Sequence, residues 1–147
     1  MLLTYFRISE KMSQNNIITP DVAKLLEGKN FAFVATLMKD GLPQITPTWI
    51  DLEENVILIN TAEGRVKHKN VSRDPRVAVS VFDHNNPYNM VSIRGRVIEQ
   101  AHKGADEHID KLAQKYFGVD KYPFRSPSEI WIILKIKPEK IFHQQPQ

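Results

Sequence analysis

Between Ala35 and Asn70 the chain reverses direction repeatedly within short distances, and this limits its fold more than any other feature. Phe31 to Met38 is an apolar run rich in strand formers, and Lys39-Asp40-Gly41 is a turn of the kind that joins antiparallel strands. Gln44 to Trp49 alternates, with Gln44, Thr46 and Thr48 on one face and Ile45, Pro47 and Trp49 on the other. Val56 to Thr61 reads as a third strand. Parallel pairing needs a crossover of roughly a dozen residues or more, so these short connections imply antiparallel strands. Pro47 has no N–H for a ladder bond, which places its strand at an edge or a bulge.

The rest of the chain extends this pattern. Thr19-Pro20-Asp21 opens a helix with a hydroxyl N-cap, a proline at the first position and an acid in the first turn. Val22, Leu25 and Leu26 form its apolar face, and Gly28 ends it. Gly64 to Arg73 reads as a short basic helix closed by Asp74-Pro75. Arg76 to Phe82 is a strand, Asp83 to Asn89 a loop, and Met90 to Gln100 another strand in which Gly95 marks a bulge or a close backbone approach. Ala105 to Phe117 has helical period, with Ile109, Leu112, Ala113, Tyr116 and Phe117 on one face and Gly118 as cap. After a loop through Tyr122-Pro123-Phe124, a final strand runs from Ile130 to Ile136 and Pro138 ends it, with Ile141-Phe142 as a short terminal pairing. Six strands with few, peripheral helices predict a mainly β protein, a closed or partly closed antiparallel barrel. Residues 1–18 read as an N-terminal arm and 19–147 as one domain.

Composition narrows the chemistry. The 147 residues contain no cysteine, which excludes disulfides, thiolate zinc sites and cysteine nucleophiles and fits a cytoplasmic setting. No apolar run approaches the roughly 18 residues of a membrane-spanning helix, and the short apolar N-terminus lacks the layout of a signal peptide. The net charge of +3 suits nucleic acid or a phosphate-bearing small ligand. The basic residues are dispersed rather than packed in one tract, so no nucleic-acid partner is expected. His68, His84, His102, His108 and His143 show no metal spacing, and no hydrolytic or Walker motif occurs. If the protein is an enzyme, a bound cofactor must supply the hard chemistry.

Two neighbouring constellations suit such a ligand. Arg65, Lys67 and Lys69, with Asn70, follow the third strand at a helix start, where cations and free N–H groups favour an anion. On a regular helix Arg65 and Lys69 share a face and Lys67 points away; a helix that begins only after Arg65 lets Arg65 and Lys67 lean together. A solvated cationic helix is the plainer reading of the same residues. The polar strand face of Gln44, Thr46 and Thr48, joined by Asn60 and Thr61, offers hydrogen bonds to a flat heterocycle; an ordinary solvent face is the alternative. A flavin-type cofactor, with its polar ring and anionic tail, matches both constellations. Tyr88, Trp49, Trp131 and Phe124 are candidate stacking groups, with Tyr88 as an exposed lid in its loop and Trp49 in the core.

In order and spacing these segments resemble the pyridoxamine 5′-phosphate oxidase-like, FMN-binding split-barrel superfamily. The matching pieces are Ala35-Thr36-Leu37, Asp40-Gly41, Pro43-Gln44, Thr46-Pro47 and Trp49, then Gly64 to Asn70, Arg73 to Val77, Asn86-Pro87-Tyr88 and Arg94 to Val97. They resemble most the small branch of coenzyme F-420-dependent oxidoreductases, over about residues 19 to 142. The resemblance implies a six-stranded split β-barrel forming a homodimer, with cofactor sites at the subunit interface. It also implies that Arg65 and Lys67, helped by Lys69 and Asn70, grip the cofactor phosphate. Gln44, Thr46, Thr48, Asn60 and Thr61 would line the ring, and Tyr88 would approach from the neighbouring subunit. The C-terminal arginine motif that holds substrate in true pyridoxamine phosphate oxidases is missing. The resemblance therefore implies a reductase that passes a hydride from reduced F-420 to an unsaturated small molecule. An FMN-dependent oxidase or reductase and a non-catalytic flavin- or haem-binding protein are the alternatives.

Overall fold

A computed structural model describes residues 18–145. The arm predicted over residues 1–18 lies, except for Ile18, outside the described residues. Three helices and seven strands follow in the order α1 (Pro20–Glu27), β1 (Ala32–Leu37), β2 (Pro43–Thr48), β3 (Asp51–Glu53), β4 (Val56–Ala62), α2 (Val66–Arg73), β5 (Arg76–Asp83), β6 (Asn86–Ala101), α3 (Ala105–Phe117) and β7 (Trp131–Gln144). All pairings are antiparallel in one sheet ordered β2-β1-β5-β6-β7-β4-β3. The expected antiparallel pairing and the edge position of the Pro47 strand both hold.

The two edge strands, β2 and β3, are consecutive in the chain, joined by Trp49 and Ile50 with no ladder between them. Ala32 and Val34 at one end of the sheet share a single core with Ile57, Ile59, Leu134 and Ile136 at the other, so the sheet wraps around its interior. This is a split barrel. Burying each aliphatic side chain of that core contributes about 1.5–3 kcal/mol. Helix α1 packs against β3, β5 and β6 and sends Val22, Leu25 and Leu26 into the core; its N-cap Thr19 accepts a hydrogen bond from the Val22 N–H. Helix α3 lies outside β4 and β7, where Ile109, Leu112 and Tyr116 meet Leu58, Trp131 and Ile133 in a second cluster.

Three expectations need correction. The sheet has seven strands rather than six, because the three-residue β3 pairs with β4 through Asp51↔Leu58, Leu52↔Ile57 and Glu53↔Val56. Three residues are too short for alternation to stand out, and pairing with β4 defines the strand. The loop predicted over Asp83 to Asn89 is a tight hairpin, since β6 already begins at Asn86 and Tyr88 lies on a strand. Pro138 does not end the final strand, because a register shift in β6 at Arg94/Gly95 brings Gly95 opposite Pro138 and β7 continues to Gln144. A Cβ at Gly95 would sit 2.3 Å from the carbonyl oxygen of Lys137, so only glycine permits this approach.

Candidate functional site

The basic turn begins where β4 leaves the sheet. Helix α2 starts at Val66, with Arg65 as an extended N-cap that supplies no side-chain cap and no acid in the first turn. Arg65 and Lys67 are therefore neighbours at the helix start, the arrangement that a late helix start allows. Burial pushes the pKa of Lys67 below the ordinary lysine value, and the charge of Arg65 adds to the shift. Among the described residues no carboxylate pairs with Lys67. Desolvation and like charge both disfavour its ammonium, and a bound anion would relieve both effects. Arg65 Nη2 donates to Glu129 Oε1 at 2.7 Å, and the guanidinium stands over the Trp131 ring, 5.5 Å from its centroid. Within the turn, His68 Nδ1 accepts from the Gly64 N–H at 3.0 Å, a backbone-holding role that its position i+4 could have signalled. Lys69 is exposed on the next turn.

The polar face of β2 turns inward. Gln44, Thr46 and Thr48 are half-buried, on the face that their partners Thr36, Val34 and Ala32 share with the core. The apolar face points out, with Ile45 61% exposed, so the amphipathic order of an ordinary edge strand is reversed. The Thr46 hydroxyl is buried without a hydrogen-bond partner, as is Asn60 Oδ1. Buried polar atoms are nearly always paired, so two orphans here are informative. They lie apart, Thr46 on the inner face of β2 and Asn60 on the α3 side of β4, and each leaves one oxygen free to accept a hydrogen bond.

Between the end of β2 and β4 lies a groove of about 300 Å³ that brings together Thr48, Asn60 and Arg65 of the predicted set. Its walls are aromatic: Phe31, Trp49, Phe117, Tyr122, Phe124 and Trp131. Trp49 stacks on Tyr116 at 5.2 Å and 5°, and Tyr122 meets Trp131 edge-on at 5.3 Å and 87°. Such pairs add about 0.5–1.5 kcal/mol each beyond area burial. Trp49, expected in the core, is half-buried and lines the groove with Trp131 and Phe124. Phe117, Tyr122 and Glu129 carry no local signal because a helix and a loop far along the chain deliver them, and Phe31 reads only as the start of a strand.

Other predicted residues have structural employment or stand apart. Asn70 is buried and ties α2 to β1: its amide donates to Thr36 Oγ1 at 2.9 Å and to Met38 Sδ at 3.3 Å, and Arg73 donates to its oxygen. Asn60 and Thr61 point to opposite faces of β4, Thr61 toward the barrel interior and Asn60 toward α3. Tyr88 is 67% exposed on the β5–β6 hairpin and lines neither the groove nor the turn.

A buried network that the sequence did not reveal stands behind Asn60. Its Nδ2 donates to Ala105 O at 2.9 Å and meets His108 Nδ1 at 3.1 Å, while His108 Nε2 meets Asp51 Oδ2 at 3.0 Å. Because an amide donates to Nδ1, the Nε2 nitrogen of His108 carries the proton toward Asp51. Burial opposes ionisation of Asp51, but hydrogen bonds from His108, Lys111 and the Leu52 N–H outweigh it and hold the carboxyl below its ordinary range. With Asn60 on the remaining imidazole nitrogen, this is not a nucleophile–base pair but a brace between α3 and the barrel. Among the described residues no His/Asp/Glu cluster could hold a metal.

A family model described as pyridoxamine 5′-phosphate oxidase matches residues 18–145. A solved structure called F420 reductase is 27% identical, with a TM-score of 0.73 over 84% of this chain and 98% of that one. HupZ from Group A Streptococcus is 22% identical, with a TM-score of 0.65 over 86% of this chain and 94% of that one. General Stress Protein 26 from Bacillus anthracis str. Sterne is 16% identical, with a TM-score of 0.64 over 86% and 93%. The last two likenesses concern the fold alone. No curated protein matches the chain.

Proposed function

We propose a function from one premise: this chain belongs to the pyridoxamine 5′-phosphate oxidase family. The reading is an oxidoreductase that binds coenzyme F-420 and reduces an unsaturated small molecule, working as a homodimer. The observation that carries it is Lys67, a half-buried cation beside Arg65, without a carboxylate of its own, at a helix start that no side chain caps. A phosphate there meets two cations and the free N–H groups of the first turn. The 27% identity to a structure called F420 reductase supports the deazaflavin over FMN.

Each group has a defined task in this reading. Arg65 and Lys67 hold the phosphate, and Lys69 extends the cationic surface along α2. Thr48 and Asn60, which share the groove with Arg65, present polar atoms toward the ring, while Gln44, Thr46 and Thr61 face the barrel interior. The aromatic walls exclude water and hold the substrate against the ring. When bound, coenzyme F-420 supplies the hydride, so the chain needs no nucleophile of its own. Asn70 acts from behind by fixing α2 on β1, and Tyr88 reaches the site only from a neighbouring subunit.

Parallel fluorescence-quench titrations with coenzyme F-420 and FMN test this reading. We expect preference for F-420, and a loss of about 1–3 kcal/mol in affinity for Arg65→Ala or Lys67→Ala, as for a charge-assisted contact. Unchanged affinity in both variants rejects the anion site. Preference for FMN moves the protein to flavin-dependent oxidase or reductase chemistry. Tight binding without turnover under reducing conditions leaves a binding protein.

A further inference from the structure

We propose that Glu129 selects for a singly charged phosphodiester over a doubly charged phosphomonoester at the Arg65–Lys67 site. The inference rests on the proposed reading that this site holds the cofactor phosphate, and it identifies what separates coenzyme F-420 from FMN.

Glu129 is built against the site. Its carboxylate accepts from Arg65 Nη2 at 2.7 Å, and its side chain is 28% exposed against 50% for Arg65. Its own N–H donates to Ser126 O at 3.1 Å, and the next residue's carbonyl, Ile130 O, accepts from the Glu63 N–H at 2.9 Å. The end of the loop before β7 is thus stitched to the basic turn, which keeps Glu129 within reach of Arg65. The other charged groups of the turn are placed as follows. Glu63 is engaged by His102, His68 accepts from the Gly64 N–H, and Lys69 is exposed. At the phosphate position Arg65 and Lys67 supply two positive charges and Glu129 removes one.

The two cofactors differ at this point. FMN ends in a phosphomonoester, whose charge is about −1.5 to −2 at pH 7 because its second pKa is near 6. In F-420 the phosphate is a diester that continues into the lactyl-glutamyl tail, with one ionisable oxygen and a single charge. A site of net charge +1 neutralises the diester. It leaves the monoester with a second charge that must be desolvated without a partner, and the Glu129 carboxylate repels a dianion up to about twice as strongly as a monoanion.

The test compares FMN with its methyl phosphodiester, which keeps the ring and chain and changes only the charge. Fluorescence-quench titrations use the full chain, Glu129→Gln and Arg65→Ala. We expect the unmodified protein to bind the methyl diester more tightly than FMN. In Glu129→Gln, FMN should gain about three- to fivefold and the diester about twofold, because one partly exposed charge contact acts on two ligand charges in the first and on one in the second. A purely structural role for Glu129 would shift both ligands alike. Equal shifts, or preference for FMN in the unmodified protein, with binding still dependent on Arg65, overturn the assignment of Glu129 alone. Failure of both ligands to bind, or indifference of both to Arg65→Ala, overturns the phosphate site and this inference together.

Discussion

Two half-buried lysines show how surroundings decide what a residue is for. Lys115 Nζ donates to Leu26 O at 3.0 Å and Ile50 O at 2.7 Å, which ties α3 to the ends of α1 and β2. Among the described residues Lys67 has no comparable acceptor, and the proposed phosphate site rests on that difference. Burial pushes the Lys115 pKa down to about 8, against the attraction of Asp51 and Glu27 and with help from Lys111. The folded value thus lies below the unfolded one, and the protonated lysine costs stability. Between about pH 8 and 10.5 the unfolded chain binds more protons, so stability rises with pH across that window. Urea midpoints measured through this range should climb in the unmodified protein and climb less in Lys115→Met; equal slopes would refute the assignment. The helix start that makes Arg65 and Lys67 neighbours is legible in the sequence because both belong to one turn. The roles of Asn60 and Asn70 are not, since their partners lie 45 and 34 residues away.

At the scale of elements, local signals held wherever the element closed on itself. Helix α3 occupies the predicted Ala105–Phe117, and helices α1 and α2 end as their caps foretold. They failed where a neighbour decided the outcome. Pro138 would stop an isolated strand, but opposite Gly95 it sits at a register shift, where its missing N–H costs no ladder bond. Gly95→Ala should destabilise the fold by about 1–3 kcal/mol or more, because the added methyl meets the Lys137 carbonyl at 2.3 Å and the β6–β7 ladder must open. Chemical denaturation checks this, and a loss below a few tenths of a kcal/mol would mean that the backbones separate freely. In the same way the Asn/Pro-rich surroundings of Tyr88 predict a loop, while the pairing of β5 with β6 extends the strand through it.

The whole molecule raises the question of what covers its outer sheet face. Ile45 is 61% exposed and Phe82 37%, while Phe33 stacks on Phe82 at 6.1 Å beside Pro47. Exposed apolar side chains grouped on one sheet face suit an interface, and the proposed homodimer would bury them. Light scattering at micromolar concentration should give a dimer mass, and Ile45→Asp should shift the protein toward monomer. A monomeric unmodified protein would reject both the dimer and an interface-bound cofactor.

The sequence by itself determined the antiparallel β character, the Asp-Gly turn, the edge strand at Pro47 and the basic helix start, because each depends on residues within a few positions of one another. Its resemblance to a known family foresaw the split barrel. Only the tertiary structure decided which face of β2 is buried, because that depends on how the sheet closes rather than on alternation. The aromatic groove was also decided there, since its walls come from the residue before β1, the β2–β3 connection, α3, β7 and the loop between α3 and β7. So was the contact of Glu129 with Arg65, 64 residues apart, which no local pattern encodes.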